Sequence, residues 1–389
     1  MDISVVTGKS PRSSGQGRQQ HQDEDVDMDS GALGNHVQID TYPSYEENGR
    51  LYHGFRRGMY MYPCDENEQD RLDLFHRVLC VARKEILHSP NIKIPPSIMR
   101  NPTSIHDQGP RILDLGCGTG IWAIDIAKKY PHAYVLGIDL APMQPTNRPP
   151  NCEFQSPRDF ESPWLLGENS WDFIHLQMGC GSVSNWPNLY SKVFAHLKPG
   201  TGYFEQVEID FEPFTVNGMP NEHLSEWYQQ LKAATDKAMR PIAFNRSMKH
   251  TLKEAGFVDV RQHVEGLPLN EWPEDPSDKL VGKWYNLAFS ESALTLLQGP
   301  LTRISGMSLD RIQDLADQAI TQAYDKNVQA WNHLQVYTAR KPRTNNTGRQ
   351  KYDFEGRANF GEERMNEKEV EAIDGNMGKA DSERNRKEK

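Results

Sequence analysis

This chain predicts an α/β fold with a mostly parallel sheet and helices on both faces, and three observations carry the prediction. The apolar run Ile112-Leu113-Asp114-Leu115 ends in Gly116-Cys117-Gly118-Thr119-Gly120, a strand passing through a glycine loop into a helix. A second apolar run, Leu136-Gly137-Ile138, ends in Asp139, 19 residues beyond Gly120. Around both, short apolar strands alternate with segments of helical spacing, the pattern of crossover helices between parallel strands.

Residues 1–48 are rich in Ser, Gly, Gln and Asp, with an acidic run from Asp23 to Asp29. They bury too little apolar area to offset ordering entropy and are expected to be disordered. Residues 49–110 form an N-terminal helical lead-in. Its helix is predicted from about Asn67 to His88, because Leu72, Phe75, Val78, Leu79, Ala82 and Ile86 recur at helical spacing. Asp65 lies three residues before Glu68, as in a capping box. Pro95, Pro96, Pro102 and Pro110 mark a linker into the main domain, 111–342.

In that domain, strands are predicted at 111–115, 134–139, 152–156, 172–177 and 203–209. Helices are predicted at 119–129 and 186–197, the second stopped by Lys198-Pro199-Gly200. A helix at 247–255, a strand at 257–263 and a final strand at 331–340 complete a seven-stranded sheet. The segments 212–245 and 266–328 read as helical insertions covering one edge of it. Residues 343–389 form a second polar tail, also expected to be disordered, and no internal repeat is present.

Composition narrows the class. The formal net charge of −10 over 389 residues argues against a dedicated DNA-binding protein, which usually carries a basic face. Cys64, Cys80, Cys117, Cys152 and Cys180 are odd in number, and no secretory signal pattern is present, so no disulfide framework is expected. No pair has the CxxC spacing of structural zinc. No apolar run approaches the roughly 18 residues of a membrane span. The expected compartment is reducing, cytosol or nucleus.

The glycine loop carries the chemistry. Backbone that approaches a ligand closely between strand and helix tolerates no Cβ, and the helix amides that follow point at the ligand. No Gly-Lys-Ser/Thr follows, which excludes a P-loop. The spacing G-x-G-x-G, not G-x-G-x-x-G, favours S-adenosylmethionine over a dinucleotide. This cofactor has a cationic sulfonium and amino group, which suit Asp114. Asp139, at the end of the next strand, is placed to accept both ribose hydroxyls; as the plainer alternative it caps a following helix. Asp159 is a candidate for the adenine amino group or a turn aspartate. Trp122 reads as packed near the cofactor or simply as core. Cys117 is a reactive thiol or just a small residue, and His175 a base or a core histidine. Trp186 and Trp227 form an aromatic wall or pack in the core.

These motifs resemble those of class I S-adenosylmethionine-dependent methyltransferases, whose domain is Rossmann-like. A closer resemblance rests on Tyr52-His-Gly-Phe-Arg-Arg-Gly58, Pro63-Cys-Asp-Glu66, Asp114 through Trp122, Asn151-Cys-Glu-Phe154, His175-Leu-Gln-Met-Gly-Cys-Gly-Ser182 and Phe204 through Pro213. From about Tyr52 to Pro342 the chain is similar to the LaeA-type methyltransferases of the fungal velvet complex. The resemblance implies a nuclear protein associated with velvet-domain regulators. It also implies control of secondary-metabolite gene clusters and effects on sporulation and development. Direct nucleic-acid binding and membrane attachment are not expected. Lys9-Ser-Pro-Arg12 and Arg384-Asn-Arg-Lys387 read as import signals or as solvated tail charge.

Methyl transfer from a sulfonium has a built-in leaving group, so positioning can supply much of the rate, up to about 7–11 kcal/mol. No base is assigned. Protein methylation leads, with a small-molecule methyltransferase or a cofactor-binding scaffold without turnover as alternatives. A small-molecule enzyme needs a deep closed pocket under 266–328, whereas a partner binder uses exposed aromatics near 52–62. Met178, at the end of the fourth strand, is a candidate self-methylation acceptor, since a thioether is nucleophilic without deprotonation. The resemblance supports this, and a flexible apolar wall is the alternative.

Overall fold

The computed structural model describes residues 42–95 and 109–343. Most of both tails lies outside them, as do the two basic fragments, the Asp23–Asp29 run, Pro96 and Pro102. The chain forms β1 (Tyr45–Glu47), β2 (Arg50–Tyr52), α1 (Glu66–Ala82), β3 (Arg111–Leu115), α2 (Ile121–Lys129), β4 (Tyr134–Ile138), β5 (Cys152–Gln155) and β6 (Phe173–Gln177). There follow α3 (Trp186–His196), β7 (Tyr203–Thr215), α4 (Glu222–Lys237), α5 (Met248–Glu254), β8 (Val258–Pro268), α6 (Pro276–Pro300), α7 (Leu309–Tyr324) and β9 (Ala330–Arg340).

The main sheet has seven strands in the order β5-β4-β3-β6-β7-β9-β8. The first five run parallel, and β9 is antiparallel to both β7 and β8. Strand alternation divides the core. Leu113 and Leu115 join the larger apolar cluster with Phe75, Val78 and Leu79 of α1. Ile112 joins Trp122, Ala123 and Ile126 of α2 in the smaller one. Fully burying each such large side chain is worth about 1.5–3 kcal/mol. α6 is buried on most of its circumference, as a core helix must be, and packs against α1, α4 and α7.

Several boundaries differ from expectation. β1 lies inside the predicted N-terminal tail, because it pairs with β2 across a tight turn at Asn48-Gly49. α1 keeps its predicted cap, with Asp65 accepting from the Glu68 N–H at 3.0 Å, but stops at Ala82 rather than His88. Lys84 and Glu85 take left-handed φ there, and Ser89 N–H then donates to Glu205 at 2.7 Å. β7 continues past 209 to Thr215 through an irregularity between Asp210 and Phe214, so 212–215 belongs to the sheet rather than to an insertion. β8 likewise extends to Pro268. α2 starts two residues late because Gly120, at φ +80°, is its N-cap.

Candidate functional site

The β3–α2 loop turns on three glycines in the left-handed region, Gly116 (φ +66°), Gly118 (+54°) and Gly120 (+80°). A Cβ on Gly120 would collide with the Phe154 ring of β5, and one on Gly118 would sit 3.2 Å from Leu72 of α1. The loop is tied to the end of β4. Gly116 and Cys117 N–H donate to Ile138 O, and Gly118 N–H donates to Asp139 Oδ2 at 2.8 Å. Asp139 Oδ1 accepts from Ala141 N–H at 2.9 Å. No helix follows Asp139 directly, so its carboxylate braces the glycine loop instead of capping one. Burial pushes this carboxyl up to about 6, although both backbone N–H groups favour its charged form.

Asp114 lies opposite His175 in the β3–β6 register, and Asp114 Oδ1 meets His175 Nδ1 at 3.0 Å. Both are buried; burial raises the carboxyl well above its usual range and lowers the imidazole to about 3. His175 stacks on Trp122 at 3.6 Å between ring centres, so each supports the other at the cavity edge. Burial holds the Cys117 thiol well above its usual pKa, in the unreactive protonated form. Trp227 is core, donating to Ala293 O, and Trp186 packs on Tyr190.

Asp114, Asp139, Gly116 and Gly118 border one cavity with two lobes that share Tyr60, Leu72, Gly116, Gly118, Gln177, Met178 and Ser182, whereas Gly120, predicted to contact the cofactor, borders neither lobe and packs on Phe154. Each lobe has a cavity volume of about 90 Å³ and is partly open to solvent. Asp114 and Trp122 face the first; Asp139 and Asp159 face the second. Asp159 also accepts from Glu161 N–H at 2.6 Å and pairs with Arg56 at 2.5 Å, which fixes the loop it belongs to. Met178 borders both lobes in a left-handed conformation, φ +56°, uncommon for a side chain of its size.

Sequence reasoning missed the roof of this cavity. His53, Tyr60, Tyr62 and Leu72 come from the lead-in and α1. The 52–62 segment was expected as an exposed aromatic surface, yet Tyr52, His53, Met61 and Tyr62 are buried. It also missed Glu208 of β7, which accepts from Gly179 and Cys180 N–H at 3.1 and 3.0 Å and so sets the loop after Met178. Its signal was present: acids at 205, 208, 210 and 212 among the apolar residues of one strand.

Residues 92–262 match the family model described as a methyltransferase domain. The chain is 49% identical over 353 residues to the secondary metabolism regulator laeA of Monascus pilosus, covering 89% of each chain. It is 54% identical over 303 residues to the regulator of the same name in Aspergillus flavus, covering 77% of this chain and 78% of that one. It is 53% identical over 300 residues to the protein-methionine methyltransferase laeA of Emericella nidulans, covering 77% of this chain and 76% of that one. Among solved structures, phosphoethanolamine N-methyltransferase 2 of Haemonchus contortus with S-adenosyl-L-methionine aligns at TM-score 0.39 and 17% identity, over 69% of this chain and 53% of that one.

The methyl donor is S-adenosylmethionine. The residues present fit it: Gly116 and Gly118 line both lobes, and an acid stands at the end of each of two adjacent strands beside them. The Rossmann-like sheet, this site and the extent of identity lead to one assignment: the chain belongs to the LaeA family of secondary-metabolism regulators and is a methyltransferase.

Proposed function

We propose that this chain methylates a protein acceptor as the methyltransferase of a velvet transcription-regulating complex. It acts in the nucleus through velvet-domain partners, on secondary-metabolite gene clusters and on sporulation. In this reading Asp114 meets the cofactor's ammonium and Asp139 its ribose hydroxyls. Asp159, oriented by Arg56, borders the adenine. Gly116 and Gly118 let the backbone approach, while Gly120 makes the turn into α2. When bound, the cofactor supplies an electrophilic methyl group on a cationic sulfur. This chain's residues orient it, exclude water and present the acceptor.

The observation that carries the acceptor reading is Met178. Its thioether borders both lobes at the end of β6, on a backbone held by the Val207 carbonyl at 2.8 Å and by Glu208 through the next two amides. A sulfur lone pair can form the new S–CH3 bond as the donor's S–CH3 bond breaks. Met178 would then become a sulfonium and S-adenosylhomocysteine would leave, with no proton to remove. Self-methylation is a proximity reaction and need not be the biological one. Mass spectrometry after incubation with labelled cofactor should place label on residue 178 and lose it in Met178→Leu, a swap of similar volume. Label undiminished in the leucine variant rules the acceptor out.

A second reading, a small-molecule methyltransferase, draws on the first lobe. Tyr60, Tyr62, Phe75 and Phe211 wall it, and Leu296 of α6 reaches it from the 266–328 segment. Pull-down of velvet-domain proteins by the wild-type chain, with acceptor identification by labelled cofactor, separates the two.

A further inference from the structure

The first lobe of the cavity holds a cation with an unused donor. Arg71 lines this lobe, but its Nε and Nη2 both donate to Glu68, at 2.7 and 2.6 Å, so its charge is cancelled within α1. His175 is neutral and faces Asp114. His76 differs. It sits one turn beyond Leu72 on α1, is 4% exposed, and lines the same lobe as Asp114. Its Nε2 lies 3.4 Å from Asp125 Oδ2 of α2 and 3.4 Å from Cys80 Sγ. Burial alone would drive the ring neutral; Asp125 and Cys80 outweigh it and raise it to about 9. A charged imidazole carries two N–H donors. One is committed on the Asp125 side. The other, Nδ1–H, is buried and has no partner.

A buried cationic donor without an acceptor is costly. Here it lines the same lobe as the acid Asp114, close enough that His76 acts on the Asp114 carboxyl electrostatically and favours its charged form. One acid and one cation with an open donor suit the two ends of an α-amino acid. We propose that His76 is the carboxylate-binding residue of the cofactor site, donating from Nδ1 to the α-carboxylate of S-adenosylmethionine while Asp114 takes the α-ammonium. This rests on the assignment of the cavity to that cofactor. Asp125 is then a positioning residue: it keeps the ring charged and turns Nδ1 away from itself.

The test compares two ligands by calorimetry: S-adenosylmethionine, and its decarboxylated analogue, which keeps the ammonium and loses only the carboxylate. The wild type should prefer the intact cofactor by about ten- to a hundredfold, the worth of one charged hydrogen bond. His76→Phe keeps a ring of similar shape and removes both donors. It should bring the ratio close to one while leaving affinity for the decarboxylated analogue nearly unchanged. Asp125→Asn, on a partly exposed side chain, should lower the ratio in the same direction and serves as the deciding arm if the His76 variant does not fold. A ratio unchanged by the variants, or two affinities that fall together, overturns the role of His76. A wild type that binds neither ligand overturns the cofactor assignment and this inference with it.

Discussion

The Asp139 carboxyl should make cofactor affinity depend on pH. Its pKa stands at about 6 without ligand, raised by burial from 3.8. The ribose hydroxyls need an acceptor, and the charged carboxylate is the better one, so binding favours the ionised form. The sign follows: affinity is low in acid, rises with pH through about 6, and flattens above about 7. At pH 5 only about one molecule in eleven is ionised at this site, so affinity should fall about tenfold between neutral pH and pH 5. Asp139→Asn keeps one acceptor oxygen but cannot ionise. Its affinity at neutral pH should drop by about 1.5–3 kcal/mol for each charged hydrogen bond lost, and the tenfold change that Asp139 contributes between pH 5 and 7 should be lost. Glu208 and Asp210 stand at about 7 and 6 but do not line the lobe that Asp139 faces. Any slope they contribute persists in the variant and is subtracted. Calorimetric titration of both proteins across this range is the assay. An asparagine variant with wild-type affinity and wild-type slope refutes the ribose assignment.

Two further outcomes follow from the same loop. Gly120→Ala forces an L-residue into φ +80°, costing about 1–2 kcal/mol, and drives a methyl into the Phe154 ring, an overpacking of about 1–3 kcal/mol more. Thermal unfolding should show a clearly lowered midpoint, and an unchanged one would mean that the loop is looser than its geometry. Cys117 should resist alkylation in the folded chain and react only on unfolding, as followed by intact mass, because burial keeps its thiol protonated; rapid labelling of native protein contradicts this.

Much of the sheet was legible because parallel strands buried on both faces read as short apolar runs, and Arg111–Leu115 lies where the pattern put it. Strand ends were less so. Beyond Ile209, β7 carries Asp210, Glu212 and Pro213, which pattern rules assign to a loop, while pairing with β9 holds them in the sheet. The glycine loop and its two acids were legible because the turn demands those residue types. The roof was not. Tyr60, Tyr62 and His76 are separated from the glycine loop by about 40 residues or more, and only tertiary packing of α1 against α2 brings them together. Helical spacing placed Leu72 and Phe75 on a buried face, but could not say that a cavity lay beside it.

Glu205 and Glu208 leave opposite faces of β7, since three positions separate them. Glu205 holds Ser89 N–H and Arg83, and with them the chain leaving α1. Glu208 holds the two amides after Met178. One strand thus clamps both jaws of the cavity, and each clamp is a carboxylate with no exposed surface. Releasing either jaw strands a buried acid, which costs several kcal/mol. The loop after β5 is held differently, by the Glu161–Arg240 pair and by Arg56 on Asp159, side chains that water already reaches in part. Both jaws are therefore stiff, because moving either one strips partners from a carboxylate that water cannot reach.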